Sequence, residues 1–212
     1  RQMCIRDRTR DTIGGFNSMI EKEKKLDVDA HVTTVLFNDQ YKMLYNRREL
    51  KDVSKMTDKD YTPGGMTALL DAVGRTIHKM DMVAGIHRKD KGNKVLFVII
   101  TDGEENDSKE YTYADVKKLI KDRQENAGWE FIFLGANIDA AAAAENLGID
   151  RDRAVKYKNT GSGVRANFKA VAELSDSLAK SGRVSDRWKE TVEKDEDDAA
   201  DKQSAAVKSH RR

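Results

Sequence analysis

The sequence predicts an α/β fold in which a mostly parallel, doubly wound sheet is covered by helices on both faces. Three observations carry that expectation. Residues 94–101 (KVLFVIIT) and 130–134 (EFIFL) are unbroken apolar runs of strand length, the pattern of strands buried on both faces. Amphipathic stretches of helical period lie around them. The two kinds of segment alternate along the chain, which pairs strands in parallel through helical crossovers.

In chain order, residues 31–37 (HVTTVLF) are β-branched and apolar and read as a strand. Asn38-Asp39-Gln40 is a turn, and residues 41–45 are a second strand close enough to form a hairpin. Residues 68–80 (ALLDAVGRTIHKM) place apolar side chains at helical spacing. After the strand at 94–101, residues 113–124 form an amphipathic helix with Val116, Leu119 and Ile120 on one face. After the strand at 130–134, residues 139–147 form an alanine-rich helix closed by Gly148. Residues 153–157 are a short strand. Residues 163–180 are a closing helix with Phe168, Val171, Ala172, Leu174 and Leu178 turned inward.

Composition bounds the function. The chain has 212 residues, 38% hydrophobic and 36% charged, which fits one domain. Thirty-nine basic residues nearly cancel thirty-seven acidic ones, and no basic cluster stands out, so a nucleic-acid partner is not expected. No apolar run reaches ~18 residues, so no membrane partner or span is expected. The single cysteine, Cys4, excludes a disulfide framework and fits a reducing, cytoplasmic setting. His31, His78, His87 and His210 show no zinc spacing. Residues 183–212 hold eight basic and eight acidic residues with few large apolar side chains. They read as a charged, disordered tail, with a docking helix around 185–194 as the alternative. Residues 9–182 are then the folded domain.

In such a fold, ligands sit at the carboxyl ends of the strands. Two segments there carry chemistry. In Pro63-Gly64-Gly65-Met66-Thr67-Ala68, a glycine pair leads to a hydroxyl at a helix start. In Ile99-Ile100-Thr101-Asp102-Gly103-Glu104-Glu105-Asn106, a carboxylate sits where a buried strand breaks into a turn. A hydroxyl and a carboxylate on neighbouring loops suit a hard divalent cation such as Mg²⁺. Each has a plainer reading as well: Thr67 as the cap of the next helix, Asp102 as a turn-former. Glu104, Glu105, Asn106 and Asp107 read as a solvated acidic rim. Asp71, inside the helix one turn past Thr67, reads as structural. Asn137 or Asp139 reads as a helix cap, Gly14-Gly15 as a close helix contact, and Gly161-Ser162-Gly163 as an incomplete glycine loop. Residues 87–91 read as a solvated loop.

The ordered set of these motifs resembles the von Willebrand factor A (vWA) domain of bacterial and phage-associated proteins. Thr67 matches that family's metal-site threonine, and Asp102 its metal-site aspartate. The likeness includes Asp11-Thr12-Ile13-Gly14-Gly15-Phe16-Asn17, Val35-Leu36-Phe37, Thr67 to Gly74 and Gly128 to Asn137, and runs from about Asp11 to Lys180. It implies a Rossmann-like sheet and a Mg²⁺ site of the MIDAS type, completed by an acidic side chain from a protein partner. The expected function is thus a protein-interaction module and not an enzyme. A hydrolase of phosphate esters, with Glu104 or Glu105 as base, and a metal-independent scaffold are the alternatives.

One element of the resemblance is missing. No Asp-x-Ser-x-Ser motif occurs, although the family places it just before a helix that here begins near Asp11. Residues 1–8 (RQMCIRDR) read instead as a translated sequencing adapter heading a gene fragment. The family's topology puts the first strand, absent here, between the strands at 31–37 and 94–101. Its loss would remove a hydrogen-bonded ladder and leave buried backbone groups unpaired. That deficit exceeds the usual net stability of about 5–15 kcal/mol. The chain as written is therefore expected to show no cooperative thermal transition. A sharp melt of the purified 212-residue product, followed by circular dichroism, would contradict this.

Overall fold

The computed structural model describes residues 2–26, 28–82 and 94–193. Ten regular elements follow one another: α1 (Gln2–Glu23), β1 (His31–Phe37), β2 (Tyr41–Glu49), α2 (Leu69–Asp81), β3 (Leu96–Thr101), α3 (Tyr113–Asp122), β4 (Glu130–Ala136), α4 (Ala140–Leu147), β5 (Ala154–Tyr157) and α5 (Gly161–Ser181). The class is α/β, as the periodicity predicts. The first helix, expected near Asp11, runs from Gln2. The loop expected to be solvated at 87–91 lies outside the described residues, as does His210.

The strands form two sheets. β3, β4 and β5 make a parallel sheet in that order, with Leu96 opposite Glu130 through Thr101 opposite Gly135, and Phe133 opposite Ala154 through Ala136 opposite Tyr157. β1 and β2 make an antiparallel pair, from His31 opposite Glu49 to Phe37 opposite Tyr41. Among the described residues, no strand joins the pair to the three-stranded sheet.

The two sheets nevertheless share both helical layers. Alternate side chains along a strand point to opposite faces. On one face, Val32 and Leu36 of β1, Leu96, Val98 and Ile100 of β3, and Ile132 and Leu134 of β4 pack with Phe16 and Ile20 of α1 and with Phe168, Val171 and Leu174 of α5. On the other face, Phe37, Phe97, Ile99, Phe131 and Phe133 pack with Val73 and Ile77 of α2, Val116 and Ile120 of α3, and Ala144 and Leu147 of α4. β4 is the centre of the parallel sheet, and its Phe131, Ile132, Phe133 and Leu134 are fully buried. Each such side chain contributes about 1.5–3 kcal/mol by leaving water.

β3 departs from expectation. Its run is as apolar as that of β4, yet only Ile99 and Thr101 are buried; Leu96, Phe97, Val98 and Ile100 are half-buried. The reason is positional. Among the described residues, β4 has a strand on each side and β3 has one.

Several local features follow from residue type. Asp139 caps α4 by accepting from the Ala142 amide at 3.0 Å, and Gly148 closes that helix in the left-handed conformation. Asn137 takes a positive φ in the turn before it. Gly161-Ser162-Gly163 is the first turn of α5, capped by Thr160, and not a glycine loop. Gly15 brings α1 against α5: a Cβ there would lie 2.5 Å from the Phe168 ring. Arg165 of α5 pairs with Asp11 of α1.

The disordered tail expected from residue 183 does not hold for residues 184–193. Val184, Trp188 and Val192 are buried in the α1/α5 layer, with Trp188 1% exposed. A short 3-10 turn, Asp186–Trp188, starts at Ser185 and presents that indole to the core. Three buried side chains, one of them a large aromatic, hold this charged segment against the core. Residues 194–212 lie outside the described residues. Among the described residues, no helix is long and apolar enough to cross a membrane.

Gly74 lies inside α2 and is buried, and a Cβ built on it would stand 2.5 Å from the Tyr111 ring. Gly74→Ala should therefore lower stability by about 1–3 kcal/mol despite alanine's better helix propensity. Hydrogen exchange of the α2 amides in the two proteins measures this without requiring a cooperative melt; slower exchange in the variant would mean that Tyr111 yields freely.

Candidate functional site

The carboxyl edge of the sheet is assembled around the start of α2. Ala68 occupies that helix's N-cap position and has no side chain able to accept a hydrogen bond. Thr67 lies one residue too early, so the capping reading of Thr67 is corrected. The first-turn amides find their acceptors in the loop that follows β3. Glu105 Oε2 accepts from the Leu70 amide at 2.9 Å, and Ser108 Oγ accepts from the Asp71 amide at 3.1 Å. Glu105 also accepts from the Ser108 hydroxyl at 2.8 Å and from the amides of Asp107 and Ser108. A helix cap is here supplied across space, by residues 35 to 37 positions away.

Asp71 returns the tie. Its carboxylate accepts from the amides of Lys109, Glu110 and Tyr111 at 2.9–3.0 Å. Burial alone would raise the Asp71 carboxyl, but the three amides together bring it below the ordinary aspartate range. Glu105 and Asp71 thus clamp α2 and the 105–111 loop to each other. Arg75 adds a two-pronged ion pair to Glu110, at 2.6 and 2.7 Å.

This clamp positions the two residues that the sequence singles out. The Thr67 amide donates to Asn106 Oδ1 at 2.7 Å, and the Asn106 amide donates to the Thr67 carbonyl at 3.0 Å. The Ala68 amide donates to the Asn38 carbonyl at 2.8 Å, which ties the same loop to the end of β1. Gly65 sits at φ +92° against Asn38 and Asp39, a conformation that suits glycine. The Thr67 hydroxyl faces Gly103, where an added Cβ would lie 3.0 Å from it. No described residue takes a hydrogen bond with that hydroxyl. Thr101, buried at the end of β3, closes the next turn by donating from its hydroxyl to the Gly103 carbonyl at 2.9 Å. Asp102 stands on that turn, exposed, and accepts from Asn159 Nδ2 at 3.4 Å. The structure therefore places Thr67 and Asp102 on adjoining loops of one rim.

The acidic rim expected at Glu104, Glu105, Asn106 and Asp107 holds only in part. Glu104 is exposed, but Glu105 and Asn106 hold the loops together. No three His, Cys, Asp or Glu side chains among the described residues converge on a metal position. Thr67 and Asp102 supply two oxygens, one of them charged, whereas Mg²⁺ prefers six oxygen ligands in near-octahedral array. These residues alone do not make a resident Mg²⁺ site. His78 bonds the Tyr111 hydroxyl at 2.6 Å through Nδ1, a structural contact. Beside the rim, a cavity of about 140 Å³ opens between the β1–β2 turn, α2 and the 107–110 loop. Small-molecule sites usually enclose about 300–1,000 Å³.

No protein-family model matches the chain, and no curated protein matches it.

Two outcomes test the clamp. Glu105→Ala should cost about 0.5–2 kcal/mol, the range of a lost helix cap, read as faster hydrogen exchange at the start of α2. Asp71 ionises more readily in the folded chain than in the unfolded one. Its stabilisation is therefore complete above the ordinary aspartate value of about 3.9 and is lost as pH falls through the lower folded value. Asp71→Asn should flatten the stability profile below about pH 4; an acid limb identical to that of the unaltered chain would show that the three amides do not favour the charged form.

Proposed function

We propose that the chain is a vWA-like protein-interaction module that meets its partner at the carboxyl edge of the sheet, with Thr67 and Asp102 as its contact residues. The observation that carries this reading is the pairing of a hydroxyl that has no hydrogen-bond partner among the described residues with an exposed carboxylate, on two loops that Glu105, Asp71 and Asn106 hold together. Contact groups held on a fixed scaffold lose little freedom when a partner arrives. The small cavity beside them favours a macromolecular face over an enclosed substrate. A divalent cation such as Mg²⁺ at this rim would need several oxygen ligands beyond Thr67 and Asp102, among them a carboxylate from the partner.

Hydrolysis of phosphate esters is the less favoured reading. It needs a free carboxylate near Asp102 as base. Glu105 is committed to backbone amides and Ser108, which leaves the exposed Glu104.

The test is a titration followed by amide NMR signals of Thr67, Asp102 and Gly103. The probe is a short peptide with one aspartate, added in Mg²⁺ or in chelator. Shifts in Mg²⁺ that vanish in chelator and in Asp102→Ala support the contact reading with cation assistance. Equal shifts in chelator support a metal-independent contact. No shifts at this rim in either condition would overturn the site, and turnover of an aryl phosphate that Asp102→Ala abolishes would favour the hydrolase.

A further inference from the structure

We propose that Glu23 is a proton-operated latch at the carboxyl end of α1. With its carboxyl neutral, that end of the helix closes against α5; with the carboxyl ionised, it loosens. The inference concerns the α1/α5 layer and does not depend on the reading of the carboxyl edge.

The first observation is the place of Glu23 in the sequence. Ile13, Phe16, Ile20 and Glu23 follow one another at intervals of three, four and three residues, the spacing of one helix face. Phe16 and Ile20 are buried in the α1/α5 layer, and Ile13 packs against it. Glu23 therefore sets a carboxyl at a position of an apolar stripe. It is 9% exposed, buried as its neighbours on that face are.

The second observation is what surrounds the group. The contacts between α1 and α5 advance together: Asp11 with Arg165, Gly15 with Phe168, Glu23 with Ser175. The two helices thus run side by side in the same direction, and the end of α1 meets α5 at Ser175. The Ser175 hydroxyl donates to the carboxyl, yet Oε1 stays buried with no hydrogen-bond partner among the described residues. One hydroxyl does not replace the water that a carboxylate gives up. The third observation is the helix end itself. Glu23 is the last residue of α1, where the partial negative charge of the final carbonyls opposes a second negative charge.

The charges nearby do little to offset this. Lys22 acts on the carboxyl from an exposed position. Lys24 is bound to the Val53 carbonyl at 2.8 Å and to Glu21 at 3.4 Å. On α5, Asp176 pairs with Lys180, and Glu173 with Lys169 and the Thr191 hydroxyl. Burial accordingly raises the Glu23 carboxyl above the ordinary glutamate value, by more than Ser175 and Lys22 lower it. The folded chain then holds this proton more tightly than the unfolded one. The stability of the closed end is complete below the ordinary value and is lost as pH rises through the higher folded value. Loosening uncovers Ile20, one turn back, and frees the Val53 segment that Lys24 ties to α1.

The experiment compares the full chain with Glu23→Gln, which keeps the shape of the side chain and removes its charge. Hydrogen exchange is read at residues 16–26 over a series from about pH 4 to about pH 8, with residues 113–122 of α3 as the internal reference. Comparison at each pH cancels the intrinsic pH dependence of exchange. The two proteins should match at the acid end, where both side chains are neutral. At the alkaline end the variant should exchange at least about threefold more slowly in α1 and unchanged in α3. In the unaltered chain, the NMR signal of the Glu23 carboxyl carbon should titrate above the ordinary glutamate value, and Ser175→Ala should move its midpoint further up. A midpoint at or below the ordinary value overturns the latch, whatever the variant does. A constant ratio of exchange rates across the series also overturns it, because that is the mark of a packing role. Faster exchange of the variant at every pH would show that the carboxylate itself holds the end of α1, which is the opposite of the proposal.

Discussion

The amides that open α2 need acceptors, and the residue at that helix's N-cap position is an alanine. This is the constraint on which the carboxyl edge depends. Buried backbone donors are almost always paired, so the acceptors must come from elsewhere. They come from Glu105 and Ser108, and Asp71 of the helix in turn takes three amides of the same loop. The exchange is reciprocal, like a capping box whose halves sit on different segments. Thr67 and Asp102 owe their adjacency to it. A conventional cap on α2 would have left the loop after β3 without the Glu105 and Ser108 ties and held by Asp71 and Asn106 alone.

The sheet is governed by a different balance. Its apolar runs are suited to burial on both faces, and β4 attains that because both its neighbours are present. Shared helical layers hold the β1–β2 pair and the parallel sheet together without a continuous ladder. Packing, with the bonds that run from Asn38 through the 67–68 backbone to Asn106, thus holds what a ladder holds in an unbroken sheet. Apolar contact is non-directional, whereas a strand ladder fixes register.

The class and order of the elements were legible because periodicity is local. The β1–β2 hairpin, the α/β alternation and the inward face of α5 all follow from spacing within a dozen residues. Three features were not legible, each for a physical reason. The half-open state of β3 depends on whether a neighbour is supplied, which an apolar run does not reveal. The role of Glu105 depends on a contact 35 positions away; a helix read as starting at Ala68 puts Thr67 at its cap, whereas α2 starts at Leu69 and leaves an alanine there. The packing of residues 184–193 turns on three spaced side chains, Val184, Trp188 and Val192, whose burial a mostly charged composition hides. For the candidate site, Thr67 and Asp102 were legible as residue types at loop ends, and their shared rim was visible only through the bonds of Asn106.

The contact between α1 and α5 bears on how the chain is made. Phe16 and Ile20 of α1 find their cover in part on α5, and Asp11 reaches its partner at Arg165 only when nearly the whole domain exists. At ribosomal rates of about 5–20 residues per second, that helix waits on the order of ten seconds for its counterpart. During that interval the apolar face of α1 stays open to whatever reaches it first. Long-range closure of this kind also slows folding from the denatured state. Early protection of the nascent α1 face is therefore a requirement of this architecture, set by the order in which its helices are synthesised.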